Sequence, residues 1–108
     1  MTDAEKLHET LKRIQEPKGY FFAPDAKRVS EILDGLLENK KRFGYMACPC
    51  RLALGDREID SDIFCPCRYR EADVAEFGSC YCGLYVTRDV AEGRRTADYV
   101  PERRPPRF

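Results

Sequence analysis

The residues best suited to chemistry in this chain are its six cysteines, which fall into three Cys-X-Cys pairs: Cys48-Pro49-Cys50, Cys65-Pro66-Cys67 and Cys80-Tyr81-Cys82. Fourteen residues separate the first two pairs, twelve separate the second two, and no cysteine lies outside 48–82. Ordinary core packing does not crowd cysteine in this way. Proline fixes its own φ and pushes the preceding residue toward extended backbone, so each Cys-Pro-Cys is a stiff presenter of two thiols. A straight extended stretch puts alternate thiols on one side, whereas a local turn splays them.

The number six narrows the chemistry without choosing one metal. A cubane iron–sulfur cluster takes four thiolates and leaves two, enough for one catalytic disulfide. One zinc ion leaves the same remainder, but zinc is usually held by Cys-x₂₋₄-Cys knuckles, and no pair has that spacing. A framework of three disulfides is disfavoured by the single intervening residue and by a reducing compartment. That compartment is the expected one. Residues Met1–Glu5 lack the basic region and apolar stretch of a signal peptide, and no apolar run approaches the roughly 18 residues of a membrane span. A cytoplasmic protein is therefore expected. Lysine plus arginine balances aspartate plus glutamate at 19 each, which gives no general attraction to nucleic acid or to an anionic membrane.

The elements that must position these thiols are mainly helical, in a single domain spanning 1–108. Thr2 followed by Glu5 is a capping-box pattern that opens a helix to about Glu16, with Leu7, Leu11 and Ile14 on one face and Pro17 as its stop. The only histidine, His8, sits there as an ordinary surface or core-edge residue. Gly19–Ala23 reads as an aromatic connector that fills core. Asp25 caps a second helix to about Arg42, on which Val29, Ile32, Leu33, Leu36 and Leu37 recur at helical spacing, and Gly44 ends it. From Cys48 the chain becomes loop-rich, with short helical pieces at Ser61–Phe64, capped by Asp60 or Ser61, and at Glu71–Phe77, ended by Gly78. Leu84–Thr87 has strand-like composition. The proline-rich residues 101–108 read as an extended strap or tail, with Arg103, Arg104 and Arg107 forming a solvated end.

Two Cys-Pro-Cys pairs followed by a third Cys-X-Cys pair resemble the catalytic chain of the ferredoxin:thioredoxin reductase family. The helix before the first pair and the Cys48-Pro49-Cys50-Arg51 junction fit as well, and the likeness covers about Asp25 to Leu84. The resemblance implies a small, mainly helical disc with loop-borne cysteine motifs around a central [4Fe–4S] cluster. It implies that Cys48, Cys65, Cys67 and Cys80 hold the cluster. It also implies that Cys50 and Cys82 form the redox-active disulfide, Cys50 as exposed nucleophile and Cys82 beside the cluster. The implied activity is disulfide reduction, with ferredoxin as electron donor and thioredoxin or a glutaredoxin-like protein as acceptor. Plant-type members also use a second, non-catalytic subunit. They differ in having a longer first gap, a shorter second gap and a histidine between the last two cysteines. Tyr81 takes that place here; a phenol with pKa about 10 mostly donates a hydrogen bond, where an imidazole can shuttle a proton.

Two other classes fit the residues less well. A one-electron iron–sulfur carrier has no need of two spare cysteines, and a zinc-binding interaction module would use knuckle spacings. Charge adds a smaller pointer: residues 18–51 carry seven basic and four acidic side chains, residues 52–78 three and seven. Lys40, Lys41, Arg42 and Arg51 flank the first pair, where they could steer an acidic ferredoxin or, for the first three, complement a helix C-terminus.

Overall fold

The structure, a computed structural model, describes residues 2–51 and 53–104. Helix α1 runs Asp3–Gln15, and the Thr2 hydroxyl accepts the Glu5 backbone N–H at 3.1 Å, as the capping pattern requires. Leu7 and Leu11 pack against the core, but Ile14 is 46 % exposed, so the apolar face of α1 ends a turn sooner than its spacing suggests. His8 is half-buried, with its ring 4.6 Å from that of Phe22. A short 3-10 turn, Glu16–Lys18, carries Pro17 and closes on Gly19 at φ 91°, a left-handed conformation that glycine adopts without strain.

The aromatic connector is more than filling. Phe21–Phe22 forms strand β1, which pairs antiparallel with β2, Tyr85–Val86, with Phe21 opposite Val86 and Phe22 opposite Tyr85. Between them comes α2, Ala26–Phe43, the longest element. The Asp25 carboxylate caps it by accepting the Arg28 N–H, and Gly44 at φ 85° ends it by donating its N–H to the Lys40 carbonyl. Val29, Ile32, Leu33 and Leu36 are buried along one stripe, which is the helix's anchor in the core. Beyond the first cysteine pair, a 3-10 turn spans Ile59–Ile63; α3 spans Arg70–Phe77 and α4 spans Arg88–Ala91. The body is flattened, 39 × 36 × 22 Å, and about half helical with this one small sheet among the described residues. No described helix is long and apolar enough to cross a membrane.

Two expectations need correction. Neither Asp60 nor Ser61 caps the turn before the second pair. Asp56 Oδ1 accepts the Glu58 and Ile59 N–H groups, while Asp60 is fully buried and accepts the Tyr45 hydroxyl at 2.5 Å and the Leu54 and Gly55 N–H groups. Nor is Arg104 part of a solvated end, and Arg103, though exposed, is ion-paired. Arg103 pairs with Asp73 and Glu76; the Arg104 side chain is 7 % exposed and pairs with Asp62 at 2.9 Å and Asp60 at 3.9 Å. Asp60, Asp62 and Asp73 are buried carboxylates, and burial without a cation is costly, so Arg104 folds inward to Asp60 and Asp62 while Arg103 reaches Asp73 from the surface. Arg107 lies outside the described residues.

Candidate thiol and metal centre

Three turns bring the cysteine pairs together. Residues 46–48 and 63–65 run antiparallel: Cys48 N–H donates to Ile63 O, and Cys65 N–H donates to Met46 O, both at 2.8 Å. This pairing sets Cys48 beside Cys65. Arg51 N–H then closes a turn onto Cys48 O at 3.2 Å, so the first Cys-Pro-Cys is bent rather than extended. The second pair is followed by a similar turn, Arg70 N–H to Cys67 O at 3.2 Å, which leads into α3. The third sits on the turn before β2, where Cys80 N–H donates to Tyr85 O and Gly83 N–H to Cys80 O.

Helix α2 supports the first pair with residues that sequence reasoning missed. Arg28 Nη2 donates to Cys50 Sγ at 3.3 Å. Asn39 Nδ2 donates to Ala47 O at 2.8 Å, pinning the backbone just before Cys48. At Gly35 the helix meets Pro49 so closely that an added Cβ would lie 2.8 Å from Pro49 Cβ. Positions 28, 32, 35 and 39 lie on one helical stripe, and that periodicity was the available signal.

All six cysteines are unpaired thiols, and all six lie in one neighbourhood. Cys80 and Cys82 are 3.6 Å apart at sulfur. Cys48, Cys50 and Cys82 are within mutual hydrogen-bonding reach, and Cys65 lies close enough to Cys48, Cys80 and Cys67 to feel their charge. Hydrogen bonds from Cys48 and Cys82, and then the charge and N–H of Arg28, outweigh burial and hold the Cys50 thiol down at about 3. The same contacts act in reverse on their donors. Its hydrogen bond to Cys50, together with burial, pushes Cys48 up to about 12, and Cys82 is driven well above the thiol range by its bonds to Cys48, Cys50 and Cys80. Cys80 is lowered to about 7 by its bond from Cys82, against burial.

Cys50 opens onto a groove of about 440 Å³ lined also by Arg28, Tyr81, Cys82 and Tyr99, the last 86 % exposed. The larger cavity, about 1410 Å³, runs between α1 and α2 and touches none of the cysteines. Arg51 was expected among steering charges, yet its side chain is 1 % exposed and bonds inward to Glu102 and to Cys67 Sγ. Its side chain is therefore not available to steer a partner.

The donor set suits an iron–sulfur cluster. Among the described residues no three Cys, His, Asp or Glu side chains converge as the ligands of one ion would; cluster cysteines bind separate irons and need not converge. Every candidate ligand in the centre is a thiol. Cys67 accepts Arg51 Nη1 and Cys80 accepts the Tyr85 backbone N–H, each at 3.3 Å, the kind of N–H···S bond that tunes iron-bound sulfur. The Tyr85 hydroxyl is buried without a hydrogen-bond partner. Burial first, then the nearby Cys65, push its pKa well up. A buried donor left without an acceptor costs about 1–3 kcal/mol, and a sulfur-rich group among these thiols would supply one.

Fold and centre together define a class: a small, half-helical protein built around a cluster of thiols, one of which opens onto a surface groove. Residues 1–103 match the model of the family described as ferredoxin thioredoxin reductase catalytic beta chain, and the chain belongs to that family. It is 32 % identical over 73 residues to the ferredoxin-thioredoxin reductase catalytic chain of Porphyra purpurea, a match covering 66 % of this chain and 58 % of that protein. It is 30 % identical over 93 residues to the chloroplastic catalytic chain of Arabidopsis thaliana, covering 80 % and 60 %. The chain thus spans about three-fifths of the length of these curated relatives.

Proposed function

We propose that this chain is an iron–sulfur disulfide reductase, taking electrons from a ferredoxin and passing them to a thioredoxin-like or glutaredoxin-like protein disulfide. The observation that carries this reading is the placement of Cys50, which lines an open groove beside Arg28 and is within hydrogen-bonding reach of the buried Cys82. In this reading Cys48, Cys65, Cys67 and Cys80 hold a [4Fe–4S] cluster. When bound, the cluster supplies single electrons from a one-electron donor.

The chain's own residues account for thiol exchange. Cys50 Sγ, held as thiolate by its bonds from Cys48 and Cys82 and then by Arg28, attacks one sulfur of the acceptor disulfide; a mixed disulfide forms, and the other acceptor sulfur leaves with its electron pair and takes up a proton. Cys82 Sγ then attacks Cys50 Sγ. The bond from Cys50 to the acceptor breaks, the second acceptor sulfur leaves with its electron pair and takes the proton given up by Cys82, and a Cys50–Cys82 disulfide remains. Two electrons have moved from the cysteine pair to the acceptor, and two single-electron deliveries restore the pair. For a donor near roughly −400 mV and an acceptor near about −270 mV, the overall transfer is about 6 kcal/mol downhill. Tyr81, beside the groove, stands where plant-type members carry histidine, so no histidine proton route is assigned.

A cytoplasmic setting, reducing enough to keep six thiols available, suits this chemistry, and a second non-catalytic subunit is compatible with it. The test is anaerobic purification with iron analysis, followed by Cys50→Ser. The expected result is a brown protein with about four irons per chain that loses disulfide reduction in the variant but keeps its iron. Zinc alone, or loss of iron on replacing Cys50, would overturn the reading or the ligand assignment.

A further inference from the structure

We propose that Arg51 is a positioning residue for the reaction: it fixes the Cys67 sulfur and sets the reduction potential of the centre, with Glu102 of the C-terminal strap as its counterweight. The proposal rests on the iron–sulfur reading above. Arg51 follows the first cysteine pair, yet its guanidinium crosses to the second, where Nη1 donates to Cys67 Sγ at 3.3 Å. The opposite side of the guanidinium is engaged by Glu102, whose carboxylate accepts Nε at 2.9 Å and Nη2 at 2.9 Å. Two rings also pack close to it: the Arg51 Cζ lies 4.5 Å from the centroid of the Tyr81 ring and 5.2 Å from that of Tyr69. A planar guanidinium forked by a carboxylate, close to two aromatic rings and 1 % exposed has little freedom to leave the sulfur.

Glu102 is fixed in turn. Its Oε1 accepts the Arg104 backbone N–H at 2.8 Å, and the Arg104 side chain is anchored to Asp62. Tyr69 donates its hydroxyl to the same Asp62 at 2.5 Å, so the ring over Arg51 and the strap beneath it share one anchor. The C-terminal residues thereby reach the cysteine centre by a continuous chain of contacts. Hydrogen bonds and positive charge at an iron-bound sulfur favour the reduced, more negative centre and raise its potential. A carboxylate behind the cation opposes part of that effect.

These two charges predict shifts of opposite sign. Arg51→Met removes the bond and the charge, so the midpoint potential of the reconstituted protein falls. Glu102→Gln keeps an oxygen acceptor for the guanidinium but removes the negative charge, so the potential rises. Arg51→Lys retains the charge without the fork and falls between wild type and Arg51→Met. Anaerobic potentiometric titration, with iron content measured for each variant, reads all three. Iron retained with unshifted potentials, or both Met and Gln variants moving the same way as simple loosening would, overturns this proposal and leaves the reductase reading standing. A wild-type chain that binds zinc or no metal overturns the reductase reading, and this proposal falls with it. Glu102→Gln, which preserves shape, keeps the test informative should Arg51→Met fold poorly.

Discussion

Gly35 of α2 lies directly against Pro49 of the first cysteine pair, with no room between them for a methyl group. Replacing a helical glycine by alanine usually favours the helix by about 1 kcal/mol. Here the added Cβ would sit 2.8 Å from Pro49 Cβ, and a proline ring between two cysteines cannot swing aside as the end of a long side chain would. Overpacking of this kind costs about 1–3 kcal/mol. Gly35→Ala is therefore expected to be neutral to destabilising by about 2 kcal/mol, and Gly35→Val more so, with Cys48 and Cys50 displaced. Urea denaturation together with iron retention checks it; a clear gain in stability for Gly35→Ala would refute the contact.

Arg28 and Cys50 make a second testable pair. The Cys50 thiol, held at about 3, is thiolate at every pH above that range, and its reactivity is lost only as pH falls through it. In the reduced chain before iron is added, the rate of Cys50 alkylation should thus stay nearly flat from neutral pH well into the acid range. Arg28 contributes both a charge and a hydrogen bond. Arg28→Ala should move the inflection to higher pH, by about 1 on the pH scale, and Arg28→Lys by less. Mass-spectrometric mapping of alkylated Cys50 across pH reads this directly, and an inflection near 8 to 9 in wild type would contradict it.

What the sequence reveals divides by range. The caps of α1 and α2 were legible because each acts within a few residues: Thr2 on Glu5, Asp25 on Arg28 and Gly44 on Lys40. The cysteine pairs were legible as one centre because six thiols have few other uses in so short a stretch. By contrast, Arg51 and Glu102 meet across 51 positions, and nothing local distinguishes that arginine from a surface charge. Asp60 read as a helix cap, and nothing local marked Asp62 or Asp73, since burial of a carboxylate is visible only when its cation arrives from elsewhere in the fold. Arg28, Gly35 and Asn39 were hidden in another way: they flank the apolar stripe at Ile32, and polar or glycine positions at the edge of such a stripe look like its solvated border.

The inward fold of the C-terminus predicts an uneven cost for arginine replacements. Arg104 is 7 % exposed, and removing it leaves Asp62 and Asp60 buried beside an empty space. Breaking a buried pair in this way costs about 3–5 kcal/mol. Arg94 pairs with Glu92 in an exposed contact of 3.2 Å, with side chains 64 % and 47 % exposed, and such pairs contribute about 0–1 kcal/mol. Arg104→Ala should lower the urea midpoint markedly while Arg94→Ala leaves it nearly unchanged. Equal midpoints for the two variants would mean that the strap is not part of the folded unit.

Tyr45 and Asp60 predict a loss of stability at alkaline pH. Burial, and then the hydrogen bond to the Asp60 carboxylate with its charge, raise the Tyr45 phenol from 10.0 to about 12. In the folded chain the phenol therefore keeps its proton through a range in which the unfolded chain releases it. The folded state binds more protons across that window, so stability falls as pH rises through it. The contribution is complete below pH 10, declines between about 10 and 12, and is gone above. Tyr45→Phe removes the titrating group but leaves Asp60 without that donor, so the variant should be less stable at neutral pH and flatter above pH 10. Urea midpoints of both proteins from pH 7 to 12 decide the matter: parallel curves through the alkaline window would mean that Tyr45 does not hold its proton against Asp60.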